Sequence, residues 1–183
     1  MSEIELVKAC LKGDLRAQKQ LYVVYAPKVK GICLRYAAST EEAEDMLQEA
    51  FIRIFSKLNQ FKNDGPLGAW IRRVVVNTAA EIYRRDKKLR NHTDIDKYSA
   101  FISDTENILS DLSAGDIAKK IRQLPDGYRV VFNMFAVEGY SHREIADTLG
   151  VTENTSKSQY CRARNALKVM IENEILEYHA KVG

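Results

Sequence analysis

Asn154, Thr155, Lys157, Ser158, Gln159 and Arg162 crowd into one short stretch of the chain. As a set they can donate and accept hydrogen bonds and neutralise phosphate, but they cannot break a covalent bond. Amides and a guanidinium match the edges of bases, while ammonium and hydroxyl groups suit phosphate oxygens. No acid follows Glu153 until Glu172, so the stretch is locally basic. The chain offers no stronger reagent. His92, His142 and His179 are far apart in sequence, and Cys10, Cys33 and Cys161 form no CxxC pair. Neither set has metal-ligand spacing or an evident nucleophile–base partner, so no catalytic residue, metal or cofactor is expected. An odd number of unpaired cysteines suits reduced thiols in a cytoplasm. The absence of a charged leader and of a long apolar span points the same way.

These polar residues need a scaffold, and the preceding residues supply its grammar. Ser141 and Glu144 have the spacing of a capping box, with Tyr140 and Ile145 at the staple positions. Ile145, Ala146 and Leu149 make a short apolar face, and Gly150 can end the helix in the left-handed conformation. Thr152 can then cap a second helix. That helix recurs inward at Ser156, Tyr160, Ala163, Leu167 and Met170, leaving Asn154, Thr155, Lys157, Ser158 and Arg162 opposite, with Gln159 and Arg164 on the flanks. Two short helices meeting at a glycine corner predict a helix-turn-helix, the second helix free to enter a major groove.

The whole chain has 183 residues, 29% charged and 45% hydrophobic, a soluble globular composition with room for one domain or two small ones. Its net charge of +3 conceals an uneven layout. Residues 1–90 hold 17 basic and 11 acidic side chains, residues 91–115 hold 1 and 5, and residues 116–183 hold 10 and 9. A basic front and an acidic bridge suggest a partner that carries phosphates.

The front half reads as helices throughout. Ser2 and Glu5 open the first, with a stripe of Ile4, Val7, Cys10 and Leu11; Gly13 ends it and Asp14 caps the next. The second turns Leu21, Val24, Tyr25, Val29, Ile32, Cys33 and Tyr36 inward, and Pro27 should kink or split it. Ser39 and Glu42 begin the third, whose stripe runs through Ala43, Met46, Leu47, Ala50, Phe51, Ile54, Phe55 and Leu58. Its outer face shows Glu41, Asp45, Gln48, Glu49, Ile52 and Arg53. Such acids are ordinarily solvated surface, but an Ile among them better suits a partner helix.

Residues 59–68 read as a loop punctuated by Gly65-Pro66. Phe61, Lys62, Asn63 and Asp64 could hold an unstacked base, although any surface loop has a similar composition. The fourth helix, from Ala69 to about Arg90, is expected to bury Trp70, Val74, Thr78 and Ile82, with Trp70 as packing. Its other face presents Arg72, Arg73, Asn77, Glu81, Arg84 and Arg85, then Lys87, Lys88 and Arg90. Cations near a C-terminus favour the helix dipole, but seven exceed what a cap requires, and phosphate neutralisation accounts for them better. From Asn91 the periodicity breaks into a linker; Ile117, Ile121 and Leu124 open a second domain, and Val130, Val131, Met134 and Phe135 line its next helix.

With these stretches in view, the chain resembles an extracytoplasmic-function (ECF) sigma factor of the sigma-70 family. EDMLQEAFIRIF (44–55), QLPDGYRVVFNMFAVEGYSHREIADTLGV (123–151) and TENTSKSQYCRARNAL (152–167) carry the likeness, which covers nearly the whole chain. It implies an all-α protein of two small helical domains: a four-helix region-2-like bundle at 1–90 and a region-4-like helix-turn-helix domain at 113–183, joined by a flexible acidic linker at 91–112. It implies binding to core RNA polymerase, to the β′ clamp helices and the β subunit, through Asp45, Gln48, Glu49, Ile52 and Arg53. It assigns the −10 promoter element to Phe61, Lys62, Asn63, Asp64, Asn77, Glu81, Arg84 and Arg85, and the −35 element to Asn154, Thr155, Lys157, Ser158, Gln159 and Arg162. An anti-sigma factor is a further implied partner. Two positions depart from the family pattern: Glu81 stands where Asp is usual, and Ser156 where many members carry Val, so that its hydroxyl should weaken packing. A stand-alone helix-turn-helix regulator with a helical sensor domain is the alternative, and would bind DNA without polymerase.

Overall fold

The computed structural model describes residues 2–89 and 114–182, and side chains as far as Leu176. The expected linker at 91–112 lies outside the described residues, as do Arg90, His92 and the side chain of His179. Every regular element among the described residues is helical. Chain contacts divide the protein into Met1–Ile82 and Tyr83–Gly183, a boundary that falls inside a helix.

In the first unit, α1 (Glu3–Leu11) begins with the full capping box of Ser2 and Glu5. Asp14 caps α2 (Leu15–Tyr36) by accepting from the amides of Arg16 and Ala17. Pro27 sits inside α2 without splitting it, and its ring is exposed. Ser39 caps α3 (Thr40–Lys57), which runs into a single 3₁₀ turn, Leu58–Gln60. After the loop, α4 spans Leu67–Leu89. Leu21, Ile54, Leu58, Leu67, Ile71, Val75 and Val76 form the centre of this unit.

Glu3 fastens the bundle at one end. Its carboxylate accepts from the Tyr25 hydroxyl at 2.9 Å and from the Leu67 amide at 3.2 Å, so a residue of α1 satisfies an orphan donor at the start of α4. Burial, then the hydrogen bond to Glu3, pushes the Tyr25 phenol up to about 12.

Three sequence expectations are corrected here. Val24 is 49% exposed, and Ile4 and Leu11 also face outward, leaving Leu6, Val7 and Cys10 as the buried side of α1. The buried face of α4 is Ile71, Val75, Val76, Ala79 and Ala80 together with Thr78, whereas Trp70, Val74 and Ile82 are only half-buried. Apolar residues surround much of this helix, so its period alone does not choose a face. Thr78 is fully buried because its hydroxyl donates to the Val74 carbonyl at 2.8 Å.

The second unit contains α5 (Ala114–Gln123), α6 (Asp126–Phe132) and a π-helical segment, Asn133–Val137. These are followed by α7 (His142–Leu149) and α8 (Glu153–Val182). Ile121, Leu124 and Tyr128 pack with Ala163, Ala166 and Leu167 of α8. Arg129, only 4% exposed, closes the α5–α6 corner. Its Nη1 donates to the carbonyls of Leu124 (2.7 Å) and Arg122 (3.2 Å), and its Nη2 pairs with Asp126 at 2.5 Å. A buried cation with these partners is satisfied structure rather than a DNA contact.

Candidate nucleic-acid and polymerase interfaces

The helix-turn-helix forms as its grammar predicts. The Ser141 hydroxyl accepts from the Glu144 amide while the Glu144 carboxylate accepts from the Ser141 amide at 2.8 Å. Gly150 ends α7 at φ +67°, a conformation that strains any side-chain-bearing residue. The Thr152 hydroxyl accepts from the Thr155 amide at 3.0 Å and so starts α8. Ile145, Ala146 and Leu149 are buried against it.

Under the recognition helix lies an aromatic cluster. The His142 ring stacks on Phe135 with centroids 4.2 Å apart, and Tyr160 leans on Phe135 at 4.5 Å. Ser156 is fully buried, and its hydroxyl shares a hydrogen bond with His142 Nδ1 at 3.0 Å. The weakened packing expected of this hydroxyl is therefore offset: it has a partner fourteen residues away in sequence. Burial, and then the Lys157 charge, lower the His142 pKa, while Glu153 opposes the shift.

On the outer face of α8, Asn154, Lys157 and Ser158 are exposed, and Thr155 and Arg162 are half-buried. Lys157 pairs with Glu153 at 2.7 Å, and the Ser158 hydroxyl donates to the Thr155 carbonyl at 2.9 Å. Gln159 departs from the expected set. Its Oε1 is buried, and its Nε2 lies so close to α6 that a Cβ at Gly127 would come within 3.0 Å. The side chain is folded inward against α6.

In the first unit, Asp45, Gln48 and Ile52 are exposed on α3, and Glu49 and Arg53 are half-buried beside them. Ile52 is 69% exposed. The loop side chains Lys62, Asn63 and Asp64 are exposed, and Asn63 adopts a left-handed φ of +59°. Phe61 folds back onto Trp70, with ring centroids 5.7 Å apart. Trp70, expected in the core, instead lines an open cleft of about 260 Å³ with Arg53, Lys57, Arg73, Asn77 and Glu81. Arg84 and Arg85 continue the exposed cationic side of α4. The structure thus brings Asn77 and Glu81 together in one cleft, with the loop alongside through Phe61.

Helices throughout the described residues, a cation-rich face on α4 and a helix-turn-helix are the equipment of a DNA-binding transcription protein. Residues 21–89 match the model of Sigma-70 region 2, and residues 114–167 that of Sigma-70, region 4. The ECF RNA polymerase sigma-E factor of Escherichia coli is 31% identical over 173 residues, covering 88% of this chain and 90% of that protein. SigW of Bacillus subtilis, also an ECF RNA polymerase sigma factor, is 27% identical over 178 residues (91% and 95%). The RNA polymerase sigma-H factor of Pseudomonas aeruginosa is 28% identical over 174 residues (89% and 90%). Among solved structures, the sigma factor RpoE of Bartonella quintana, in complex with the anti-sigma factor NepR, shares the fold. Its TM-score is 0.51 at 21% identity, over 84% of this chain and 96% of that one. The chain belongs to the ECF sigma factors of the sigma-70 family and directs transcription initiation. The stand-alone regulator reading is not favoured, because both sigma regions are present in order. No helix among the described residues is long and apolar enough to cross a membrane.

Proposed function

We propose that the chain docks on the β′ clamp helices of core RNA polymerase through the outer face of α3, with Asp45, Gln48, Glu49 and Ile52 as the contact set and Arg53 behind them. Residues 1–90 act as the core- and −10-binding domain, residues 91–112 as the connector, and residues 113–183 as the −35-binding domain, with the β subunit a further polymerase partner. The observation that carries this reading is Ile52. An apolar side chain 69% exposed between acids and a glutamine loses nothing in solvent-facing hydrogen bonds when a partner helix covers it.

The exposed groups of α8 then read duplex −35 bases, with Arg162 and Asn154 aimed at base edges and Lys157, Thr155 and Ser158 at phosphates. Phe61, Lys62, Asn63 and Asp64 take an unpaired −10 base, and Asn77, Glu81, Arg84 and Arg85 hold the melted strand. Trading base stacking for these contacts stabilises the open bubble without any covalent step. An anti-sigma factor, the kind of protein with which the Bartonella relative was solved, competes for these surfaces in the cytoplasm.

The test is capture of purified core polymerase followed by transcription in vitro from genomic fragments. Gln48→Ala/Ile52→Ala should weaken core binding by roughly thirtyfold or more, the loss of about 2 kcal/mol expected of a contact centre. Unchanged core binding in that variant would move the docking surface off α3.

A further inference from the structure

One side chain belongs to both proposed surfaces of the first unit. Arg53 projects from α3 with its guanidinium divided between two carboxylates. Nη2 donates to Glu49 Oε1 at 2.7 Å, one helical turn back on α3, and Nη1 donates to Glu81 Oε2 on α4. The Arg53 side chain is 23% exposed, Glu49 28% and Glu81 48%, so the fork grades from sheltered on the α3 side to open on the cleft side. Within the cleft, Glu81 is the one acid among the described lining residues, set against Arg53, Lys57 and Arg73.

Charge alone makes this arrangement informative. A bare carboxylate in a groove that receives a polyanionic strand would repel it. Bound to Arg53, Glu81 is neutralised and fixed in direction while keeping acceptor capacity on its carboxylate. An acceptor held in place there favours an unpaired base with an exocyclic amine, as on cytosine, adenine or guanine, over thymine, which has none. The guanidinium is planar and its donors hold fixed angles to one another, so a pull on one carboxylate reorients the hydrogen bond to the other.

We propose that Arg53 is a positioning residue that couples the polymerase-facing side of α3 to base selection in the cleft. Engagement of Glu49 by polymerase resets the guanidinium, and with it the carboxylate of Glu81 that selects an amino-bearing −10 base. This rests on the docking and −10 assignments above. It adds to them a path through three named side chains, from Glu49 through Arg53 to Glu81.

The experiment uses full-length protein in holoenzyme at saturating core. Its probe is fork-junction promoter DNA whose single-stranded −10 positions are permuted through all four bases. Glu81→Gln should lower discrimination for amino-bearing bases over thymine at one −10 position. Arg53→Lys keeps the cation but not the fork, and Glu49→Gln alters a side chain that is not among the described residues lining the cleft. Each should lower discrimination at that same position by about fivefold, the lower end of ordinary coupling between sites, with the other positions unchanged. Should Glu81→Gln alter base preference while Arg53→Lys and Glu49→Gln leave it intact, the coupling is wrong and the −10 site stands. Should Glu81→Gln and Asn77→Ala both leave every position unchanged, the −10 assignment of the cleft falls and the coupling falls with it.

Discussion

The two surfaces proposed to face DNA hold their charges differently. On α8 the polar groups are tied within one or two turns of the same helix terminus: Lys157 to Glu153, Thr155 to Thr152 and Ser158 to the Thr155 carbonyl. In the first unit the central cation reaches from α3 to α4 and joins residues 28 positions apart. Local pairs can be exchanged for DNA contacts one at a time, because each release costs only a surface interaction worth about 0–1 kcal/mol. A shared guanidinium cannot release one partner without disturbing the other. The recognition helix is therefore built for independent, roughly additive contacts, and the cleft for coupled ones.

The strongest way to break the comparison is to unfold one unit and watch the other. Ile54 and Ile145 are each fully buried at the centre of their own unit. Ile54→Ala and Ile145→Ala should each cost about 2–5 kcal/mol of stability. The first should remove core binding, while the second should spare core binding and abolish −35 recognition. Denaturant melts paired with core capture and duplex binding would show this, and loss of both activities in both variants would contradict it.

A smaller effect sharpens the contrast on α8 itself. Arg162→Ala should cost about 1–3 kcal/mol and relax preference at the bases it faces. Lys157→Ala should weaken binding to all sequences alike and reduce the salt dependence by about one counterion. Titrations on a permuted −35 duplex at several salt concentrations separate the two. Equal weakening on every duplex by Arg162→Ala would remove it from base reading.

The smallest effect concerns the support beneath that helix. Burial and Lys157 lower the His142 pKa, so the unfolded chain binds this proton more readily than the folded one. Stability from neutral His142 is therefore present above about pH 6.5 and is lost as the pH falls from there through the folded pKa. Urea midpoints at about pH 8 and about pH 5 should differ less in His142→Phe than in the parent protein. An equal pH response in both would assign the loss to other groups.

Much of the second unit was legible because its signals are local. Ser141 and Glu144, Gly150 and Thr152 each act within three or four residues, and each takes the conformation its chemistry requires. Pairings across the fold were not legible. Ser156 looked like a packing defect until His142 met it, and no sequence period places the Gln159 amide against α6. On α4 the apolar residues run around the helix, so Trp70 and Val74 could be given to the core when they line the cleft. The Arg53–Glu81 pair obeys no sequence period at all. Periodicity reports which side of a helix is dry, not which distant residue will stand opposite it.

Glu3 has a consequence far from its own place in the chain. Its carboxylate anchors Tyr25 and accepts from the amide of Leu67, where the helix that carries Asn77, Arg84 and Arg85 begins. Damage or substitution at Glu3 would therefore be felt 64 positions away, at the start of the helix proposed to hold the −10 strand.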